Sequence, residues 1–528
     1  MSKMRTLIAA VIFLSLLSPA FGQSQSGIKI DPALFIYLDE CRAVMRAAGE
    51  AIWKGWDLSN TPILFYRPGV QDILIAYPHK PAGFREITGF NPLGGETIYY
   101  RDGTTFIGTD GQNTVTDIDG VKTLVVADTF SNQRNQLNGV LLGRDKDFAR
   151  TWLENWNFLP DDPYGQMAMI LHEGFHAFQD AQAPDKGPNE MAAVDYPLLD
   201  AANNASWALE AVLMRDALLP GSADTRAAKI RELVAVRTER RAGLNKESID
   251  YEDRTEYLEG LAKYIEFRFL REAQGLEPDP RLFFVHGFTG FGPKLEEVRN
   301  KSVLRLKDVV AASVDMTGNK FGVGPLRFRL YSSGAALALL LDEAEPGWKA
   351  GIFKDGAYLF DELKKAVPLS AAEQASLVAR ARTEYGYEAL AAEKREFEEE
   401  GRRVLGDKLK SILETRDTLV VIDYSGPGGI AGMSFTPFGV TKLAENLVLY
   451  DMVPLMGRFT DKSEFRFARV IPVLIDKAAR QMKFSVKTKA SAFETRKGDG
   501  IEVEEFSLTG ARYEVETSGN QVLIRLVK

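Results

Sequence analysis

The stretch His172-Glu173-Gly174-Phe175-His176 constrains this chain more than any other. On an α-helix, residues four apart lie on one face with β-carbons about 5–6 Å apart. Two imidazoles so placed can hold one zinc ion. Glu173 follows His172 by one position, about 100° further round the helix. All three side chains therefore share one arc, where the carboxylate can take a proton from water activated by the ion. The chemistry demands a helix, and the pattern predicts one over about 163–181. Its opposite arc carries Leu171, Phe175 and Phe178, which can bury the back of the helix, and Gly174 lets a neighbour approach closely. The plain alternative is a pair of helix histidines satisfied by hydrogen bonds. Only four histidines occur in 528 residues, and two of them stand in this single turn, which favours the metal.

The N-terminus reads as a secretory signal. Lys3 and Arg5 form a basic region, Leu7 to Leu17 an apolar core too short for a stable membrane anchor, and Ala20-Phe21-Gly22 a small-residue cleavage site. A mature chain starting after Gly22 is expected to be secreted or periplasmic, with no membrane insertion once the signal is cleaved. Removing Lys3 and Arg5 takes the formal net charge from −8 to −10. That balance argues against a nucleic-acid partner, which would favour a basic surface. The single cysteine, Cys41, excludes an internal disulfide. It lies in a helical pattern and is expected in the core, so stability must come from burial across several domains.

The expected organisation is α+β. Residues 1–22 are the signal. Residues 23–150 form an N-terminal α+β region, with a helix at about 31–54 and an antiparallel sheet from Pro62–Tyr66, Asp72–Tyr77, Glu96–Tyr100 and Lys122–Phe130. Turns at Gly94-Gly95, Asp102-Gly103 and Asp119-Gly120 separate these runs. Residues 151–412 form a mainly helical, zincin-like catalytic domain, with helical spacing at 203–218, 224–243, 252–272, 330–343 and 370–410. Within it, the Gly-rich stretch 282–325 is expected to be an irregular loop over the site. The charged run Glu393 to Arg403 reads as a solvated helix face. Residues 413–528 form a C-terminal β domain with strands at Thr418–Tyr424, Arg469–Ile475, Met482–Lys487, Gly500–Phe506 and Gln521–Val527. The loop Gly426-Pro-Gly428-Gly429-Ile-Ala-Gly432 lacks the spacing and the βαβ context of a nucleotide-binding loop and is expected to be a turn of this domain.

A catalytic zinc site needs three protein ligands and one open position. Candidates for the third are Glu210, Glu256, Glu259 and His286. The stretch Glu259-Gly-Leu-Ala-Lys-Tyr-Ile-Glu266 resembles the EGxAxYxE helix that accompanies HExxH in the aminopeptidase N-type gluzincins. The resemblance covers about 30 residues on two helices, and it implies that Glu259 is the third ligand. Between His176 and Glu259 lie 82 residues, room for an insertion of two helices. The chain has no GxMEN segment, so the resemblance implies peptide-bond hydrolysis without implying exopeptidase cleavage. Asp180 could support a ligand from behind. Tyr331 and His286 could each donate to the oxyanion of a tetrahedral intermediate. His79 is expected at the surface.

The leading expectation is an exported zinc metallopeptidase acting on a peptide or protein substrate. Zinc would be held by His172, His176 and Glu259, with Glu173 as general base. Two other readings stay open: a non-catalytic exported binding protein with a structural or vestigial metal site, and a zinc hydrolase of an ester or cell-wall amide.

Overall fold

The computed structural model describes residues 27–87, 92–93, 95–103, 113–128, 163–311, 320–435, 439–451, 454–493 and 500–527. The predicted signal segment, Gly94, Phe130 and the predicted start of the helical domain at 151 lie outside those residues. The architecture is α+β: an N-terminal sheet, a central helical region and C-terminal sheets. Among the described residues, no helix is long and apolar enough to cross a membrane. The chain divides into two compact units. One takes its described residues from Met1–Asn138, Phe158–Ala177 and Gly275–Gly290; the other takes the rest.

The first unit opens with helix α1 (Ala33–Ile52), followed by strands β1 (Ile63–Arg67), β2 (Gln71–Ile75), β3 (Arg85–Glu86), β4 (Ile98–Asp102), β5 (Thr114–Ile118) and β6 (Val121–Ala127). The sheet order is β3-β4-β2-β1-β6-β5. Its pairings are antiparallel as expected, except that β1 runs parallel to β6. Strand residues alternate between faces, so each face has its own cover. Leu64, Tyr66, Leu74 and Val125 join a core on one side. On the other, Phe65 meets Phe35 of α1 edge-to-face, ring centres 5.7 Å apart.

Helix α2 (Pro163–Gln182) carries the motif. It covers the same face of the sheet as α1. A β-carbon on Gly174 would stand 2.8 Å from Leu58 Cδ1 and 3.9 Å from Leu124 Cδ2, so a larger residue here would have to push the Leu58 side chain aside. Phe175 is fully buried between Trp53 and Trp56, with ring centres 5.0 and 5.2 Å away. Cys41 is buried as expected, its Sγ 3.5 Å from the Met167 carbonyl, and burial pushes its thiol pKa well up. Proline at the first helical position costs nothing, because its missing N–H would have had no intrahelical partner.

The last turns of α2 belong to the second unit, with α3 (Ala201–Leu218), α4 (Ala223–Ala242), α5 (Lys246–Thr255), a π-turn (Glu256–Gly260) and α6 (Leu261–Ala273). There follow α7 (Phe291–Ala311), α8 (Val323–Ala344), α9 (Leu359–Ala366), α10 (Ala371–Glu384) and α11 (Tyr387–Leu413). Three expectations are corrected here. The stretch 252–272 is not one helix: it begins at the Asn245 cap, whose side chain accepts from Ser248 N, and is interrupted by the π-turn. The stretch 370–410 is two helices, broken at Gly386, where φ is 62°. The stretch 282–325 is not all loop, since α7 occupies its middle. Its glycines cluster at the two ends. Gly287 and Gly290 turn at φ 86° and 98° ahead of the helix, and Pro293 sits harmlessly in the first turn.

The C-terminal strands are β7 (Thr418–Asp423), β8 (Ile430–Ser434), β9 (Val440–Ala444), β10 (Leu447–Tyr450), β11 (Met456–Phe459) and β12 (Glu464–Phe467). They continue with β13 (Val473–Asp476), β14 (Gln481–Val486), β15 (Gly500–Glu502), β16 (Phe506–Thr509), β17 (Arg512–Ser518) and β18 (Gln521–Val527). They form a seven-stranded sheet, β17-β18-β7-β14-β13-β10-β9, and a five-stranded sheet, β15-β16-β12-β11-β8. Phe467 of the smaller sheet meets Phe484 of the larger, ring centres 4.8 Å apart, and Phe506 touches both, so the two inner faces share an aromatic core. The glycine loop 426–432 is the turn and strand start between β7 and β8, as expected.

Candidate metal centre

Helix α2 presents His172 and His176 one turn apart, ring centres 4.8 Å from each other. His172 is buried and His176 half-buried; Glu173 beside them is half-buried. Three residues beyond His176, on the same face, Gln179 is buried. Its Nε2 donates to the carbonyls of Tyr257 (2.8 Å) and Leu258 (3.2 Å) in the π-turn. The motif face thus ends in a hydrogen-bonded clasp on the segment that carries Glu259. One ligand atom each from His172, His176 and Glu259 lie within 4.8 Å of one another. Around tetrahedral zinc, with bonds of about 2.0–2.2 Å, neighbouring ligand atoms stand roughly 3.3–3.5 Å apart. Two imidazoles and one carboxylate are a donor set zinc accepts.

The π-turn decides which glutamate joins the histidines. Its hydrogen bonds close i→i+5, a span one residue longer than in an α-helix, so each residue turns the chain through a smaller angle. Residues three apart therefore diverge, and Glu256 and Glu259 do not share a face as a regular helix would have placed them. Glu256 points into a buried ion network. Both its oxygens accept from Arg237 Nη2, at 2.7 and 2.6 Å, and Ser333 Oγ donates to Oε1. Glu210 lies in the same network, accepting from Arg240 Nε at 2.5 Å and Arg237 Nη1 at 3.3 Å. Glu252 takes both Nη of Arg240, at 2.7 and 2.9 Å, and Arg241 Nε at 3.0 Å. Burial pushes the Glu252 pKa up, but Arg240 and Arg241 outweigh it and hold the group well below the usual carboxylate range.

Glu259 has a different partner. Arg327 Nη2, from α8, donates to its Oε1, while Nη1 of the same guanidinium donates to Glu190 Oε1. Tyr251 in turn donates to Glu190 Oε2 at 3.2 Å. Helix α8 presses directly on the π-turn. A β-carbon on Gly260 would stand 2.5 Å from Gly334 Cα, and one on Gly334 would stand 2.7 Å from the Glu256 carbonyl oxygen. Under the turn, Lys186 is buried and donates to the carbonyls of Ile352, Lys354 and Ala357 at 2.7, 3.0 and 2.6 Å. Its ammonium sits over the rings of Tyr257 and Tyr358.

The remaining candidates fall as follows. Tyr331 is half-buried one turn after Arg327, whose guanidinium lies 5.8 Å from its ring. Asp180 is half-buried one turn after His176. His286 and His79 are exposed. Sequence reasoning missed Gln179, Glu190 and Arg327. Gln179 could have been found, since it continues the His172–His176 face at i+3. No family model matches the chain, and comparison with curated proteins and with solved structures finds no match.

Proposed function

We propose that this chain is an exported zinc-dependent metallopeptidase with His172, His176 and Glu259 as metal ligands and Glu173 as general base. The observation that carries the reading is the convergence of those three ligand atoms within 4.8 Å, beside a glutamate fixed one position from His172. The group contains three ligands, the number found in catalytic rather than structural zinc sites. Zinc, when bound, lowers the pKa of water and polarises a substrate carbonyl. Glu173 accepts the proton of the attacking water and returns it to the leaving amine nitrogen as the C–N bond breaks. His172 and His176 bind as neutral imidazoles, and the buried back of α2 holds both in register.

The test compares the wild-type mature chain with Glu173→Gln and His176→Ala. The wild type should hold about one zinc per chain and His176→Ala should lose it. Glu173→Gln keeps size and hydrogen bonding but cannot take the proton. It should fold and bind zinc normally, yet cleave a mixed peptide library at least about a hundredfold more slowly. Equal activity of Glu173→Gln and wild type would sink the mechanism. A zinc-loaded wild type with no activity on broad libraries would favour a binding protein.

A further inference from the structure

An ion held by two imidazoles and one carboxylate depends on where that carboxylate is kept. Glu259 is buried, at 5% exposure, and a glutamate side chain left to several rotamers would have to be ordered by the ion itself. Preorganisation removes that cost. The means of ordering Glu259 comes from helix α8. Gly334 packs α8 backbone against the π-turn backbone. Seven residues earlier, two turns along and so on the same side of α8, Arg327 reaches Glu259 Oε1. The guanidinium does not hang free: Glu190 holds its other nitrogen, and Tyr251 holds Glu190.

Charge decides whether such an arginine would help or harm a cation site. A lone guanidinium on the ligand would repel a divalent ion. Here Glu190 offsets Arg327, so Glu259, Arg327 and Glu190 together carry the same net −1 as Glu259 alone. The relay adds rigidity at no cost in charge. Arginine suits the post because its planar fork can hold one carboxylate on each side.

We propose that Arg327 is a positioning residue of the metal centre. It holds the Glu259 carboxylate through Oε1 and is itself locked and neutralised by Glu190. The inference rests on the zinc reading given above and assigns Arg327 no contact with substrate.

The experiment measures zinc affinity of the full mature chain by competition with a chromophoric chelator, and the visible spectrum of the cobalt-substituted protein. Wild type is compared with Arg327→Leu and Glu190→Gln, and each is melted with the metal chelated. Arg327→Leu should bind zinc about 10–100-fold more weakly, the usual loss when a partner behind a metal ligand is removed, and should alter the cobalt spectrum. Glu190→Gln touches no ligand, yet it should weaken binding by a smaller factor, because it uncovers the charge of Arg327. A purely structural arginine would lower the melting temperature and leave affinity and spectrum unchanged. A folded Arg327→Leu with affinity within about twofold of wild type would overturn the proposal. If Arg327→Leu does not fold, unchanged affinity in Glu190→Gln overturns it instead. A wild type that binds no zinc would remove the metal reading and this inference together; a wild type that binds zinc beside unaffected variants would remove only the inference.

Discussion

Two buried polar regions meet at the π-turn, and they treat their carboxylates in opposite ways. On the Glu256 side, Glu210, Glu252, Asp253 and Glu256 face Arg237, Arg240 and Arg241, and arginine forks hold each carboxylate. On the Glu259 side, Arg327 reaches Oε1, and one ligand atom each from His172 and His176 lies within 4.8 Å of the carboxylate. Chemical type does not distinguish Glu256 from Glu259, which are three residues apart on one segment. What distinguishes them is which side chains each meets: Arg237 and Ser333 for Glu256, Arg327 for Glu259.

The contrast can be broken by mutation, and the largest effect is expected in the closed region. Arg240→Leu strips Glu210 and Glu252 of a buried partner, a change that typically costs about 3–5 kcal/mol. Denaturant unfolding should show that loss, while zinc per folded chain stays the same. Zinc lost in parallel with stability would mean the two regions are one. Next comes the exchange of neighbours. Glu259→Gln should weaken zinc binding at least about a hundredfold, the upper end of what losing a mere support costs. Glu256→Gln should lower stability and leave zinc binding nearly intact. The reverse pattern would assign the wrong glutamate to the metal.

The smallest effect sharpens the comparison with a third kind of buried charge, one hydrogen-bonded to backbone carbonyls. Lys186→Met would leave the carbonyls of Ile352, Lys354 and Ala357 without their donor and should cost about 1–3 kcal/mol. Burial pulls the Lys186 pKa from its ordinary 10.5 down to about 8. Between those values the unfolded chain keeps a proton that the folded chain has released. The wild type should therefore gain stability relative to Lys186→Met as pH climbs from about 8 to 10.5. Unfolding titrations at pH 7.5 and 10 check the sign; a difference that stays flat would show that the carbonyls and the two tyrosine rings hold the charge in place.

Much of the centre was legible in the chain because its signals are local. The motif helix, expected over 163–181, spans Pro163–Gln182, since periodicity and a starting proline both mark it. The face of Leu171, Phe175 and Gly174 packs as its spacing implies. Glu259 came from resemblance to a two-helix pattern, and it is the residue found beside the histidines. The supports were not legible. Arg327 lies 68 residues from Glu259 and 137 from Glu190, and pairing at such range leaves no periodic trace. Nor does the π-turn: Thr255 to Leu261 reads as unbroken helix, so Glu256 and Glu259 looked interchangeable. Helix α7 was hidden for a compositional reason, because glycines flanking a helix colour the whole window. The parallel pairing of β1 with β6 depends on chain crossings that strand patterns do not encode.

The extra residue in the π-turn turns counting into chemistry. Deleting Tyr257 or Leu258 would spare every ligand and every arginine, yet it would let the helix close regularly and leave Glu256 and Glu259 two residues, about 200°, apart. Glu256 and Glu259 would then point to opposite faces, and the two could not both keep the partners they now hold. The spelling of both motifs would survive while the division of labour did not. A search by residue identity alone would not see the difference.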